Sequence, residues 1–273
     1  MSKKTANGEI VVRAEELSLD LSLIGDRVSA GAEGSTAVGG RLMKQGRDWA
    51  IRALDGLNFE VAKGSRVGIV GRNGAGKSSL LRTLAGIYLP TGGMLTIEGS
   101  ISTLFANRVF NNAQVTGRES IIVSGLLLGL GYREIQSLAP EIIEFSELED
   151  YIDLPIRTYS AGMATRLGFA IATSIRPDIL LIDEVFGAGD RSFQQKARER
   201  VDSVMQEAST LFLASQSLGV IERMCDHLMW LDHGSMRAFG PIGEVMPAFI
   251  EADAQEAKAK TERAAKRKEQ QET

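Results

Sequence analysis

Gly71-Arg72-Asn73-Gly74-Ala75-Gly76-Lys77-Ser78 is the stretch on which the fold turns. It matches G-x-x-x-x-G-K-[ST] in full, and Ser79 follows it. Arg66-Val67-Gly68-Ile69-Val70 runs into it as a short apolar segment, the pattern of a buried parallel strand. Beyond it the pattern turns helical, with Leu80, Leu81 and Leu84 on one face. The glycines let backbone N–H groups turn inward around a phosphate that side chains would obstruct. The N-terminus of the next helix adds partial positive charge. In such a loop Lys77 reaches the β- and γ-phosphates of a nucleotide, and the Ser78 hydroxyl holds Mg²⁺. A glycine-rich turn that binds nothing is the competing reading, and the strand–helix context argues against it.

Outward from the loop, residues 10–23 read as a first strand region, and Leu57, Phe59 and Val61 alternate as a half-buried strand. Leu95 and Ile97 belong to a further strand. Residues 29–48 hold five glycines among Ser, Thr and charged residues, which predicts a flexible insertion. Residues 117–150 carry helical periodicity with acidic stretches. They predict a helical subdomain, taken as about residues 101–176, set into an α/β core formed by 8–100 and 177–250. Thr210–Ala214 reads as a buried strand, and Leu228–Leu231 with Met236–Phe239 as a hairpin turning at Asp232-His233-Gly234. Residues 251–273 hold no aromatic residue and predict a polar tail, helical or disordered.

Composition narrows the class. The 273 residues carry 31 Lys+Arg against 35 Asp+Glu, a net charge of −4, which gives no overall footprint for nucleic acid. A single Cys excludes a disulfide framework and a cysteine-based zinc site. No apolar run approaches the roughly 20 residues of a membrane span, and the start lacks a signal-peptide core. The expectation is a cytoplasmic protein.

Ile179-Leu180-Leu181-Ile182-Asp183-Glu184 is an apolar strand ending in two carboxylates, a Walker B pattern. Asp183 is expected to reach the Mg²⁺ shell and Glu184 to act as general base on the attacking water. Tyr159-Ser160-Ala161-Gly162-Met163 opens an amphipathic helix, both a capping signature and an anion site. A phosphate loop, then this segment, then Walker B is an order in which the sequence resembles the ATP-binding cassette superfamily, over about residues 8–250. Thr116–Ser120, Phe145-Ser146-Glu147-Leu148, Pro155–Met163 and Gly189–Lys196 resemble in particular the cassettes of bacterial polysaccharide exporters.

The resemblance implies a P-loop NTPase (RecA-like) α/β core with a parallel sheet, an antiparallel β region and an inserted helical subdomain. It implies ATP and Mg²⁺ as cofactors, ATPase activity, and a head-to-tail pair of copies sandwiching nucleotide. Ser160 and Gly162 then contact the γ-phosphate held by Lys77 of the other copy, and Gly189-Asp190 lies at the seam. Trp49 stands where the family places an aromatic that stacks on adenine, with a core aromatic as the alternative. A separate polytopic permease is implied, holding the chain at the cytoplasmic face of the inner membrane, with the polysaccharide recognised mainly by that permease and no nucleic acid as partner.

Two positions depart from the family pattern. Where the family has a histidine after the strand following Walker B, this chain has Gln216, which donates a hydrogen bond but neither carries charge nor passes a proton. Slowed hydrolysis with retained ATP binding is expected. No glutamine stands at the expected Q-loop position near Ala106; Asn107 and Gln114 are the substitutes. His227 and His233 are expected to be structural and Cys225 an inert buried thiol. Alternatives are a cassette of another exporter or importer, and a soluble cassette acting on nucleic acid.

Overall fold

The computed structural model describes residues 8–23, 40–45, 48–105, 114–174, 177–183, 191–207 and 209–271. Two sheets form among them. The first is antiparallel: β1 (Ile10–Leu23), β2 (Arg41–Gln45), β3 (Asp48–Ala62) and β5 (Gly92–Ile97), in the order β2-β3-β1-β5. The second contains β4 (Arg66–Val70), β6 (Ile101–Phe105), β7 (Ile179–Asp183), β8 (Thr210–Ala214), β9 (His227–Asp232) and β10 (Ser235–Pro241), in the order β10-β9-β4-β8-β7-β6. Five of its strands run parallel, and β10 returns antiparallel on β9. The parallel strands are nearly continuous apolar runs because both faces are covered; β4, β7 and β8 are buried almost throughout.

The helices are α1 (Lys77–Leu84), α2 (Gly117–Leu127), α3 (Tyr132–Ser146), α4 (Ala161–Thr173), α5 (Arg191–Glu207), α6 (Leu218–Met224) and α7 (Ile242–Gln271). One core joins the two sheets: Leu17, Leu54 and Leu57 pack with Val67 and Ile69 of β4 and with Leu80, Leu81 and Leu84 of α1. The other face of the parallel sheet, with Leu180, Ile182, Leu211 and Leu213, is covered by α5, α6 and α7 through Val201, Met205, Ile221, Val245 and Met246. A third cluster, with Ile121, Ile135, Ile142, Leu167 and Ile171, belongs to α2, α3 and α4 and forms the helical unit.

The boundaries differ from the pattern-based expectation in three places. Residues 101–105 are strand β6, paired in parallel with β7, so the sheet continues past 100 and the first helix of the helical unit begins at 117. Ser102 and Thr103 interrupt the continuous apolar run that marks β4, β7 and β8 as buried strands. Within the expected flexible insertion, residues 41–45 form β2 and pair with β3 from Arg41↔Arg52 to Gln45↔Asp48. Residues 251–271 take the helical form of the expected tail, but as an unbroken continuation of α7 from Ile242. No helix among the described residues is long and apolar enough to cross a membrane.

Candidate functional site

The loop 71–78 leaves the C-terminal end of the central strand β4 and enters α1, the edge where open α/β sheets bind ligands. Its glycines are required by geometry. Gly71 has φ +146°, and a Cβ there would lie 2.2 Å from the Leu231 carbonyl oxygen. Gly76 has φ +103°, and a Cβ there would lie 2.7 Å from the Ala53 oxygen. Gly76 is also the N-cap of α1, and no side chain caps that helix end. The loop closes on itself through Ala75 N–H, which donates to the Arg72 carbonyl at 3.0 Å.

Lys77 is buried, and its ammonium turns back over the loop to donate to the carbonyls of Gly71 (2.6 Å) and Arg72 (3.0 Å). A buried ammonium against a cradle closed to side chains at Gly71 and Gly76, and a helix N-terminus, fit a polyphosphate in both charge and shape. Asn73 and Gly74 are exposed at the tip of the loop, and Ser78 and Ser79 are half-buried in the first turn of α1.

Two neighbouring strand ends supply the polar groups beside the loop. Asp183 ends β7, half-buried, in register with Phe105 of β6 and Ala214 of β8. Beyond the end of β8, Gln216 Nε2 donates to Asn73 Oδ1 at 3.5 Å, so the position that replaces the expected histidine touches the phosphate loop. Ser78 and Asp183 carry oxygen atoms of the hard type that Mg²⁺ accepts as ligands. Glu184, Gly189 and Asp190 lie outside the described residues, as do Ala106 and Asn107. Gln114 is described and accepts a hydrogen bond from Arg157.

Ser160 and Gly162 stand elsewhere, exposed at the start of α4 on the helical unit. Ser160 is the N-cap, its hydroxyl accepting from Met163 N–H at 3.1 Å. Trp49 is half-buried near the start of β3, in register with Leu23 and Lys44. His227 and His233 pair with their sequence neighbours Asp226 (2.6 Å) and Asp232 (3.6 Å), and among the described residues no three His, Cys, Asp or Glu converge on a metal position. Burial, aided by Asp226, pushes the Cys225 thiol up to about 12, which fits an inert core residue.

Pattern reading missed two supports of the loop. The β9–β10 turn braces it from below: Gly234 N–H donates to the Ala75 carbonyl (3.0 Å) while its own carbonyl accepts from Asp55 N–H of β3 (2.9 Å). Asp232-His233-Gly234 signalled a hairpin, but nothing in its sequence signals what lies above it. The second support is the ion pair between Arg72 and Glu256 of α7, which ties the C-terminal helix to the loop.

A profile of the ABC transporter family matches residues 54–187. Among curated relatives, the O-antigen export system ATP-binding protein RfbE of Yersinia enterocolitica is 42% identical over 82% of this chain and 90% of its own length. The corresponding RfbB protein of Klebsiella pneumoniae is 39% identical over 73% of this chain and 81% of its own length. RfbB of Myxococcus xanthus is 44% identical over 77% of this chain, but the match spans only 48% of that longer protein. A solved ATP-binding subunit of an ABC transporter superposes with a TM-score of 0.64 at 22% identity, covering 88% of this chain and 93% of that one. A dimeric ATP-binding cassette bound to ADP and Pi superposes with 0.61 at 18% identity, covering 85% and 98%.

Proposed function

The chain belongs to the ABC transporter ATP-binding family, and on that premise we propose that it is the ATP-binding and ATP-hydrolysing subunit of a bacterial exporter of cell-surface polysaccharide, of O-antigen or capsule type. The observation that supports this most is the loop at the sheet edge, closed to side chains at Gly71 and Gly76 and overlaid by a buried lysine. The family gives that loop its nucleotide, and the names of the relatives give the direction and class of cargo.

In this reading the backbone of Gly71, Arg72, Asn73, Gly74, Ala75 and Gly76 surrounds the β-phosphate, with Ser79 in the first turn of the helix behind it. Lys77 leaves the two carbonyls it now satisfies and pairs with the β- and γ-phosphates, an exchange of neutral acceptors for anionic ones. Ser78 and Asp183 would hold Mg²⁺, which would neutralise phosphate charge. Glu184 orients and deprotonates the attacking water, and Gln216 donates a hydrogen bond toward the γ-phosphate. Trp49 stacks on adenine. Ser160, Gly162 and Asp190 act on the nucleotide of a second copy, and a polytopic permease holds the pair at the cytoplasmic face of the inner membrane and recognises the polysaccharide.

Purification of the tagged chain from native membranes tests this reading. A polytopic membrane protein is expected to accompany it, and ATP turnover of the complex should fall about a hundredfold or more in Lys77→Ala. A chain that carries no membrane protein with it, or a Lys77→Ala variant with unchanged turnover, contradicts the proposal.

A further inference from the structure

Two stretches of the segments that mark the resemblance to polysaccharide-exporter cassettes, 145–148 and 191–196, have no role in the chemistry above. They meet in space. Glu147 ends α3 in the left-handed region (φ +56°), a conformation uncommon for a residue with a side chain. From there its carboxylate accepts from Arg166 Nη1 of α4 at 2.8 Å and from Lys196 Nζ of α5 at 3.2 Å. The same Lys196 ammonium also donates to the Phe145 carbonyl at 3.3 Å.

Beneath this bridge three rings close a triangle, one from each helix. Phe145 stacks on Phe169 at 6.0 Å, and Phe193 meets both edge-on at 5.7 and 5.9 Å. Phe193 is 1% exposed although it lies only two residues into α5. Cations cover the rings: Arg166 lies 5.1 Å from the Phe193 centroid, and Lys196 and Arg200 lie 5.0 and 5.4 Å from that of Phe145. Edge-to-face rings and cation–π contacts are directional, so the joint fixes orientation as well as distance.

Its position gives the joint a consequence. On α4, Arg166 follows Ser160 by less than two helical turns. α5 begins at Arg191, directly after the segment that holds Glu184 and Asp190. We propose that Glu147 is a positioning residue that ties α4 to α5, so that the start of α4, with Ser160 and Gly162, is held in the orientation that meets the nucleotide of a second copy. This rests on the paired-copy reading above. It predicts that loosening the joint spares nucleotide binding by a copy's own loop and weakens the step that needs both copies.

The test uses the purified full chain with Glu147→Gln, and separately with Lys196→Gln. Nucleotide affinity at dilution, melting temperature, ATPase rate and Hill coefficient are measured for each. Both variants should keep affinity within about twofold and keep their melting temperature, since exposed ion pairs add little stability. The maximal rate should fall about three- to tenfold, with the Hill coefficient dropping toward unity, and the double variant should lose no more than the worse single one. Cooperative wild type with variants equal to it overturns the joint alone. Losses that track melting temperature and affinity together also overturn it, because they mark a merely structural role. A wild type that is non-cooperative and does not associate with ATP overturns the paired-copy reading itself.

Discussion

Gly71 and Gly76 show how tightly single residues set this site. At each, the left-handed backbone and a carbonyl under 3 Å from any added Cβ exclude a side chain twice over. Gly71→Ala should cost about 2–4 kcal/mol in chemical denaturation and abolish nucleotide binding, whereas a loss under about 0.5 kcal/mol would refute the constraint. Gln216 stands where the family resemblance leads to the expectation of a histidine. In Gln216→His an imidazole gains the charge and proton transfer that an amide lacks, so ATP turnover should rise about tenfold or more with little change in affinity. No gain in rate would show that the glutamine is not what limits turnover. The loop glycines and Lys77 were legible in sequence because a phosphate cradle needs those residue types at fixed spacing. Arg72 was legible as a loop residue but not as the partner of Glu256, because an ion pair between residues far apart in sequence has no local signature.

At the scale of elements, β6, β7 and β8 are stapled together where they enter the sheet. Asp178 Oδ2 accepts from Ser100 N–H (2.8 Å) and from the Ser100 hydroxyl (2.7 Å), and the Asp178 carbonyl accepts from Thr210 N–H (2.9 Å). The backbone bond from Ser100, and then its hydroxyl, hold the Asp178 carboxyl below its ordinary range. A depressed folded value means the stabilisation is fully present above the unfolded carboxylate value of about 3.9 and is lost as pH falls through the folded value. Asp178→Asn should therefore melt below wild type at neutral pH, with the gap closing in acid; a gap constant with pH would contradict the staple. The helical unit was legible from periodicity, and its first helix starts on a capping box. Thr116 Oγ1 accepts from Glu119 N–H (3.1 Å), and the Glu119 carboxylate accepts from Thr116 N–H (2.8 Å). That Thr-x-x-Glu spacing was available in the sequence. β6 was not legible because Ser102 and Thr103 interrupt the apolar run that marks β4, β7 and β8, and β2, a hairpin partner of β3 through Gln45↔Asp48, because it lies among glycines and charged residues.

The whole molecule sets the proposed site residues on two units of the fold. The phosphate loop, Asp183 and Gln216 gather at one edge of the parallel sheet, while Ser160 and Gly162 sit exposed on the helical unit. That division makes sense if a site is completed by a second copy, which supplies the helical-unit residues to the loop of the first. Sequence order proposes both half-sites; the separation of their residues within one copy is a property of the fold that order alone does not state. A mixture of two disabled chains tests this division most directly. Lys77→Ala damages the loop and leaves Ser160; Ser160→Arg damages the helix start and leaves the loop. Each alone should turn over ATP at background. Mixed in equal amounts, random pairing should regenerate about a quarter of the intact sites, with turnover recovering in proportion. Turnover no greater than the sum of the two separate variants would contradict a site shared between copies.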